Sequence, residues 1–280
     1  MATSQTVKHF FLSSQVRWAV GGWTFFIVEN VVLSENRHFI IQHVGDSNYH
    51  ALYGTISTAA MASVGYGYMY KVRGTHPLFS RISTPMRVAS FVSYSLGLGL
   101  ASQTMPKLQI PVVLGQGDAD DALSMRTGTS NPQLDSDATA KSAWKVRCPF
   151  DFTDNTLQQG QGSTDGPRGV ERISRHPGLW SFGLLCLGAA ITTPSIPQAA
   201  WLSMPVVVAL AGGAHTDSRY RRGMGGTLSV EEDRKSSNVP FVAMLLQEDV
   251  PASFSCLIDE SKGLNLVIAV GAAALMVIRR

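Results

Sequence analysis

The chain has 280 residues, 45% of them hydrophobic and 15% charged, with a formal net charge of +3. Globular domains average about 25% charged residues, and the mean hydropathy here is positive, so the composition points to lipid contact. The small net charge, with basic residues beside apolar runs, excludes a nucleic-acid-binding protein. Cys148, Cys186 and Cys256 are too few and too far apart for a disulfide framework or a CxxC metal site; Cys186, inside an apolar run, reads as a packing residue.

Residues 1–15 carry no acid, several hydroxyl side chains and Lys8, a pattern that suits the remnant of an organellar transit peptide. The first membrane candidate covers residues 16–33, close to the ~20 residues that cross hydrocarbon. Glu29 and Asn30 sit in its last turns. A carboxylate there must face the bundle interior, or water at the interface. Residues 34–50 are polar and carry His38, His43 and His50. The second candidate, 51–70, is rich in small residues that let membrane helices approach closely. Tyr66, Tyr68 and Tyr70, with Lys71 and Arg73, suit an interfacial belt at its end. The third covers 86–104, and its run from Ser93 to Leu100 reads as a packing face. These three make a first membrane part over 16–104.

From 105 to 165 Asp, Ser, Thr, Gln and Gly dominate. That composition cannot bury enough apolar surface to offset chain entropy, so a disordered, mobile loop is expected, with Trp144 to Phe152 as an apolar island able to dock back. A second membrane part covers 166–280. Its spans are expected at 177–193, 197–214 and 263–278, with Pro205 as a kink in the middle one. Residues 239–246 are apolar but too short to cross and suit the interface. The expected fold is an all-α polytopic membrane helix bundle of about six transmembrane helices.

Arg168, Arg172, Arg175 and His176 are packed into one short run, and Pro177 follows where a helix starts. Proline suits that position because its missing N–H would have had no partner. The cations either anchor a helix end at the lipid surface or hold an anionic group. Six spans place His38, His43, His50, His176 and His215 on one face, five of the 7 histidines. Arg172, Arg175, Asp217 and Arg219 join them. The positive-inside rule puts that face in the cytosol, stroma or matrix. The candidate catalytic residues are His176 and Asp217; Arg172, Arg175, His176 and His215 are the cofactor-binding set, with His176 and His215 as metal ligands. Histidine would ligate or shuttle protons, arginine would hold an anion, and Asp217 would orient either. No HExxH, GxSxG, P-loop or Rossmann fingerprint is present. Glu231, Glu232 and Asp233 read as a solvated helix start.

Three pieces carry a family resemblance: Arg172-Ile-Ser-Arg-His-Pro177 opening a span, Gly213-Ala214 leading to Asp217 and a basic run, and Val239-Pro-Phe-Val-Ala243. Upstream, Arg37, Gly45-Asp46, Tyr49 and Ala51-Leu-Tyr53 follow the first span. In this order and spacing they resemble the NnrU family of membrane proteins, to which the plant and algal ζ-carotene isomerases belong. The resemblance implies a multi-pass protein of a plastid or other organelle membrane, with haem b whose histidine ligation depends on redox state. It also implies cis–trans isomerisation of an apolar carotenoid-like polyene reached from the lipid bilayer. The family's ligand histidines fall on Glu29 or Asn30 and near Ala189 in this sequence, and none of these is a usual axial ligand. Gly166-Pro167 followed by Arg175-His-Pro177 also resembles membrane methyltransferases that bind S-adenosylmethionine. A third reading is a non-catalytic protein that kept the scaffold and lost the ligands.

Overall fold

The computed structural model describes residues 13–78, 81–104, 112–114, 144–146 and 167–279. Residues 1–12, most of the tail expected at the N-terminus, lie outside them. So does the expected loop over 105–165, apart from β1 (Val112–Leu114) and β2 (Trp144–Val146), which pair antiparallel.

Helices stand at each of the six expected places. They are α1 (Ser14–Glu35), α3 (Asp46–Tyr66), α4 (Thr84–Thr104), α5 (Pro177–Ile191), α6 (Ile196–Arg221) and α10 (Gly263–Ile278). Short helices join them: α2 (Arg37–Val44), α7 (Val230–Lys235), α8 (Val242–Leu246) and α9 (Val250–Glu260). The polar stretch over 34–50 and the run before α10 therefore hold helices, α2 and α9, that periodicity alone did not reveal. Gly45, at φ 85°, separates α2 from α3, a backbone that glycine adopts without steric cost.

By length and composition, α1 and α6 can each cross a membrane. α9 and α10 make a third span if counted together, although they meet at 94°. α3 falls short because Asp46, Asn48, His50, Thr55 and Ser57 dilute its apolar residues, and α5 has only 15 residues. Pro205 lies inside α6 without ending it.

The helices pack in a row, α3 against α1, α1 against α6, α6 against α5, α5 against α4, and α4 against α10. α4, grouped by sequence with α1 and α3, thus joins α5 and α10 instead. The core between α1, α3, α5 and α6 holds Trp23, Phe26, Val64, Leu179, Trp180 and Val208. Outward, α10 shows Leu264, Val267, Ile268 and Leu275, each at least 60% exposed, an apolar surface of the kind that lipid or a partner covers.

The two ends of the bundle differ. At one, a π-helical turn (Gly67–Val72) extends α3 and sits against the start of α1. A Cβ on Gly67 would lie 2.9 Å from the Trp18 carbonyl oxygen, so only glycine allows this approach. Trp18 and Tyr66 meet edge-on at 5.4 Å, Tyr70 lies 4.9 Å beyond Tyr66, and Lys71 stands 6.0 Å over Trp18. The tyrosines and Lys71 gather at one end as expected, except that Tyr68 turns inward onto Trp201 at 4.6 Å. At the other end are the charged groups.

Candidate functional site

The segment before α5 is bonded through its backbone to the segment before α8. The Arg175 N–H donates to the Ser237 carbonyl at 2.9 Å, and the Phe241 N–H donates to the Ile173 carbonyl at 2.8 Å. Ser174 Oγ donates to the Asn238 carbonyl at 2.5 Å and accepts from the His176 N–H at 3.1 Å. The Asn238 side chain locks the assembly onto two helices. It accepts from Trp180 Nε1 at 3.2 Å on α5 and donates to the Leu210 carbonyl at 3.0 Å on α6. Its amide occupies the space that a Cβ on Gly213 would need. Phe241, at φ 66°, is the one non-glycine residue with positive φ among those described. That costly backbone is held by its bond to Ile173 and by its ring stacked on Phe254 at 6.4 Å.

On this clasp lies a chain of charges. His176 Nε2 meets Asp217 Oδ1 at 2.8 Å, and Arg175 Nη2 donates to Asp217 Oδ2 at 2.8 Å. Arg175 Nη1 donates to Asp233 Oδ1 at 2.6 Å, and Arg221 Nε donates to Asp233 Oδ2 at 2.6 Å. His176 and Asp217 are each only 3% exposed. Arg172 makes a two-point pair with Glu260, at 3.0 and 2.8 Å, and Glu260 also accepts from the Gly169 N–H. These are charge-assisted, fork-like contacts, the strong kind. Two buried atoms here have no hydrogen-bond partner, His176 Nδ1 and Arg175 Nε.

The sequence thus brings His176, Asp217, Arg175 and Arg172 to one end of the bundle, as expected. His215 is at that end but does not join them. It lies two residues before Asp217 on α6, and residues so spaced do not face each other. Its Nε2 meets Ser34 Oγ at 2.5 Å and its Nδ1 lies 3.9 Å from Glu35, which Arg222 also holds. His176 and His215, the expected metal ligands, are each turned to a different neighbour, Asp217 and Ser34. Among the described residues no three His, Cys, Asp or Glu side chains are grouped to hold a metal ion. His43 bonds the Phe39 carbonyl at 2.8 Å, and His50 stands 3.6 Å from Asp46. The two positions where the family's ligands fall are also apart. Glu29 and Asn30 face Ser57 and Tyr53 on α3, whereas Ala189 packs with Tyr94, Ala273 and Val277.

Sequence reading missed Asp233, Asn238 and Glu260. Asp233 reads in the sequence as part of a solvated helix start, and the start is real: Ser229 and Glu232 cap α7 reciprocally. Asp233, one residue on, points to Arg221 and Arg175, which hold its carboxyl at about 2. A depressed carboxyl stabilises the fold above its ordinary value of 3.8, and that contribution fades as pH falls through about 2. Unfolding midpoints measured against pH should therefore drop between about pH 4 and pH 2. Asp233→Asn should flatten that part of the curve; an unchanged slope would show that Asp233 is not held as described. Comparisons with family models, curated proteins and solved structures find no match to this chain.

Proposed function

We propose that the chain is a multi-pass membrane protein of the NnrU type that keeps the family's Arg-His-Pro clasp as a structural device and has given up haem chemistry. The six helices α1, α3, α4, α5, α6 and α10 would be its spans, with the charged end in the cytosol, stroma or matrix. One observation carries this reading: the guanidinium ends meant for a ligand are committed to carboxylates. Arg172 is held by Glu260, and Arg175 by Asp217 and Asp233. A haem propionate or lipid phosphate would have to displace a two-point ion pair at Arg172, or a largely buried one at Arg175. The residues at the family's ligand positions do not fit haem either, since Glu29, Asn30 and Ala189 offer no imidazole.

A second reading has its own observation. His176 Nδ1 is buried without a partner while Asp217 fixes Nε2. A carboxylate on one ring nitrogen sets the tautomer and leaves the other as a lone pair, the arrangement common in metal-ligating histidines. In this reading haem b, or a metal, is bound by His176, and the ζ-carotene isomerase activity survives with a changed ligand set.

Absorption spectra of the detergent-purified protein, as isolated and with added haem, oxidised and reduced, separate the two. The scaffold reading expects no Soret band that depends on His176. A stoichiometric band lost in His176→Ala and kept in His215→Ala overturns it and supports the second reading. Without a band, titration with S-adenosylmethionine distinguishes a scaffold from a methyltransferase.

A further inference from the structure

The charged end does not account for Glu29. This carboxyl lies in α1, six residues inside its end at Glu35, and is 5% exposed. It faces α3, where Ser57 Oγ lies 3.0 Å from Oε1 and 3.3 Å from Oε2. The Asn30 amide also donates to Oε1. Asn30 is itself fully buried and fixed, donating to the Phe26 carbonyl at 2.8 Å and accepting from Tyr53 OH at 2.5 Å. Tyr49 OH closes the neighbouring turn on the Leu33 carbonyl at 3.1 Å. Among the described residues, the partners of the Glu29 carboxyl, Ser57 and Asn30, are neutral.

The charged and titratable groups on the packed elements are turned elsewhere. On α3, Tyr53 serves Asn30 and Tyr49 serves Leu33. On α6, His215 serves Ser34 and Arg222 serves Glu35; Arg37 on α2 lies 5.8 Å over the Tyr49 ring. No cation pairs with Glu29 among the described residues. An ionised carboxylate presents four acceptor sites and no donor. Here two donors meet it, in a buried place where unpaired charge is costly. A neutral carboxyl matches the surroundings better. Its Oε2–H can donate to Ser57 Oγ while Oε1 continues to accept from Asn30.

We infer that Glu29, with Ser57 and Asn30, is a proton-binding site inside the membrane-spanning bundle. The ligand is the proton, held on Glu29 between α1 and α3. The inference rests on the membrane reading above.

The test is modification by an apolar carbodiimide in native membranes, with peptide mapping by mass spectrometry. The protonated carboxyl gives its proton to a carbodiimide nitrogen while its oxygen bonds the central carbon. The adduct then rearranges to a stable acylurea without loss of any group. Glu29 should carry the label near neutral pH, the labelling should fall as pH rises, and Glu29→Gln should remove it. A water-soluble carbodiimide should instead reach exposed carboxyls such as Glu231. The near-isosteric Glu29→Gln variant should also lose an infrared carboxylic C=O band. A protein in the membrane fraction whose Glu29 stays unlabelled, or labels without pH dependence, overturns the proton site and leaves the membrane reading intact. A protein that leaves the membrane on a salt or alkaline wash overturns the membrane reading itself.

Discussion

Asp217→Ala should lower the stability of the bundle by about 3–5 kcal/mol, the range for breaking a buried ion pair from one side. Asp217 and Arg175 have side chains 5% and 11% exposed, so water does not replace the lost partner. The same change strips His176 Nε2 of its acceptor, and that ring is buried too. Asp217→Asn keeps the shape and one acceptor oxygen but loses the charge, so its cost should lie between wild type and alanine. Arg221→Ala is the contrast. It removes an ion pair to the same network, with Asp233, but Arg221 is 48% exposed, and such pairs are worth about 1 kcal/mol or less. Thermal unfolding of the three variants in detergent, followed by tryptophan fluorescence, gives the ranking. Equal losses for Asp217→Ala and Arg221→Ala would show that the network is a surface feature and not the clasp described.

That contrast bears on function. If the Arg-His-Pro segment is a structural clasp, the losses in Asp217→Ala and His176→Ala should appear in stability. If His176 holds a ligand, His176→Ala should change a spectrum more than an unfolding midpoint. The orphan Nδ1 allows the second outcome, and the carboxylates already held by Arg175 favour the first.

Much of the frame was legible in the chain. Apolar runs of span length, Pro177 at a helix start and the tyrosines near Lys71 were enough to place six helices and one aromatic cluster. An even number of long helices between Arg37 and His176 was enough to gather the polar groups at one end. The partners of those groups were not legible. Arg175 finds Asp233 at a separation of 58 residues and Arg172 finds Glu260 at 88, and periodicity carries no information about such pairs. The role of Asn238 was hidden for the same reason, although Gly213, the notch it fills, lies in the Gly-Ala motif. Face was legible only in part. A topological argument assigns His215 and Asp217 to one end, but the helix turns residues two apart away from each other.

The packing face read from Ser93 to Leu100 leads to the other large effect, at Gly97. A Cβ there would lie 2.9 Å from the Leu185 backbone nitrogen and 3.1 Å from the Ser181 carbonyl oxygen, so α4 and α5 approach backbone to backbone. These two backbone atoms cannot rotate away as a side chain can. Gly97→Leu must push the helices apart. Two contacts go with the separation: Ser90 Oγ to the Gly188 carbonyl, at 2.7 Å, and the Tyr94 ring seated on Gly188. Overpacking costs about 1–3 kcal/mol where side chains can yield, so Gly97→Leu should reach or exceed the top of that range. Gly99→Ala, two residues on, is the control. Its Cβ would meet only the Leu266 side chain of α10 at 3.5 Å, an ordinary contact, and the change should be close to neutral. Unfolding midpoints in detergent should therefore separate the two variants widely. A near-neutral Gly97→Leu would mean that α4 and α5 do not pack through this glycine, and the place of α4 in the row would have to be redrawn.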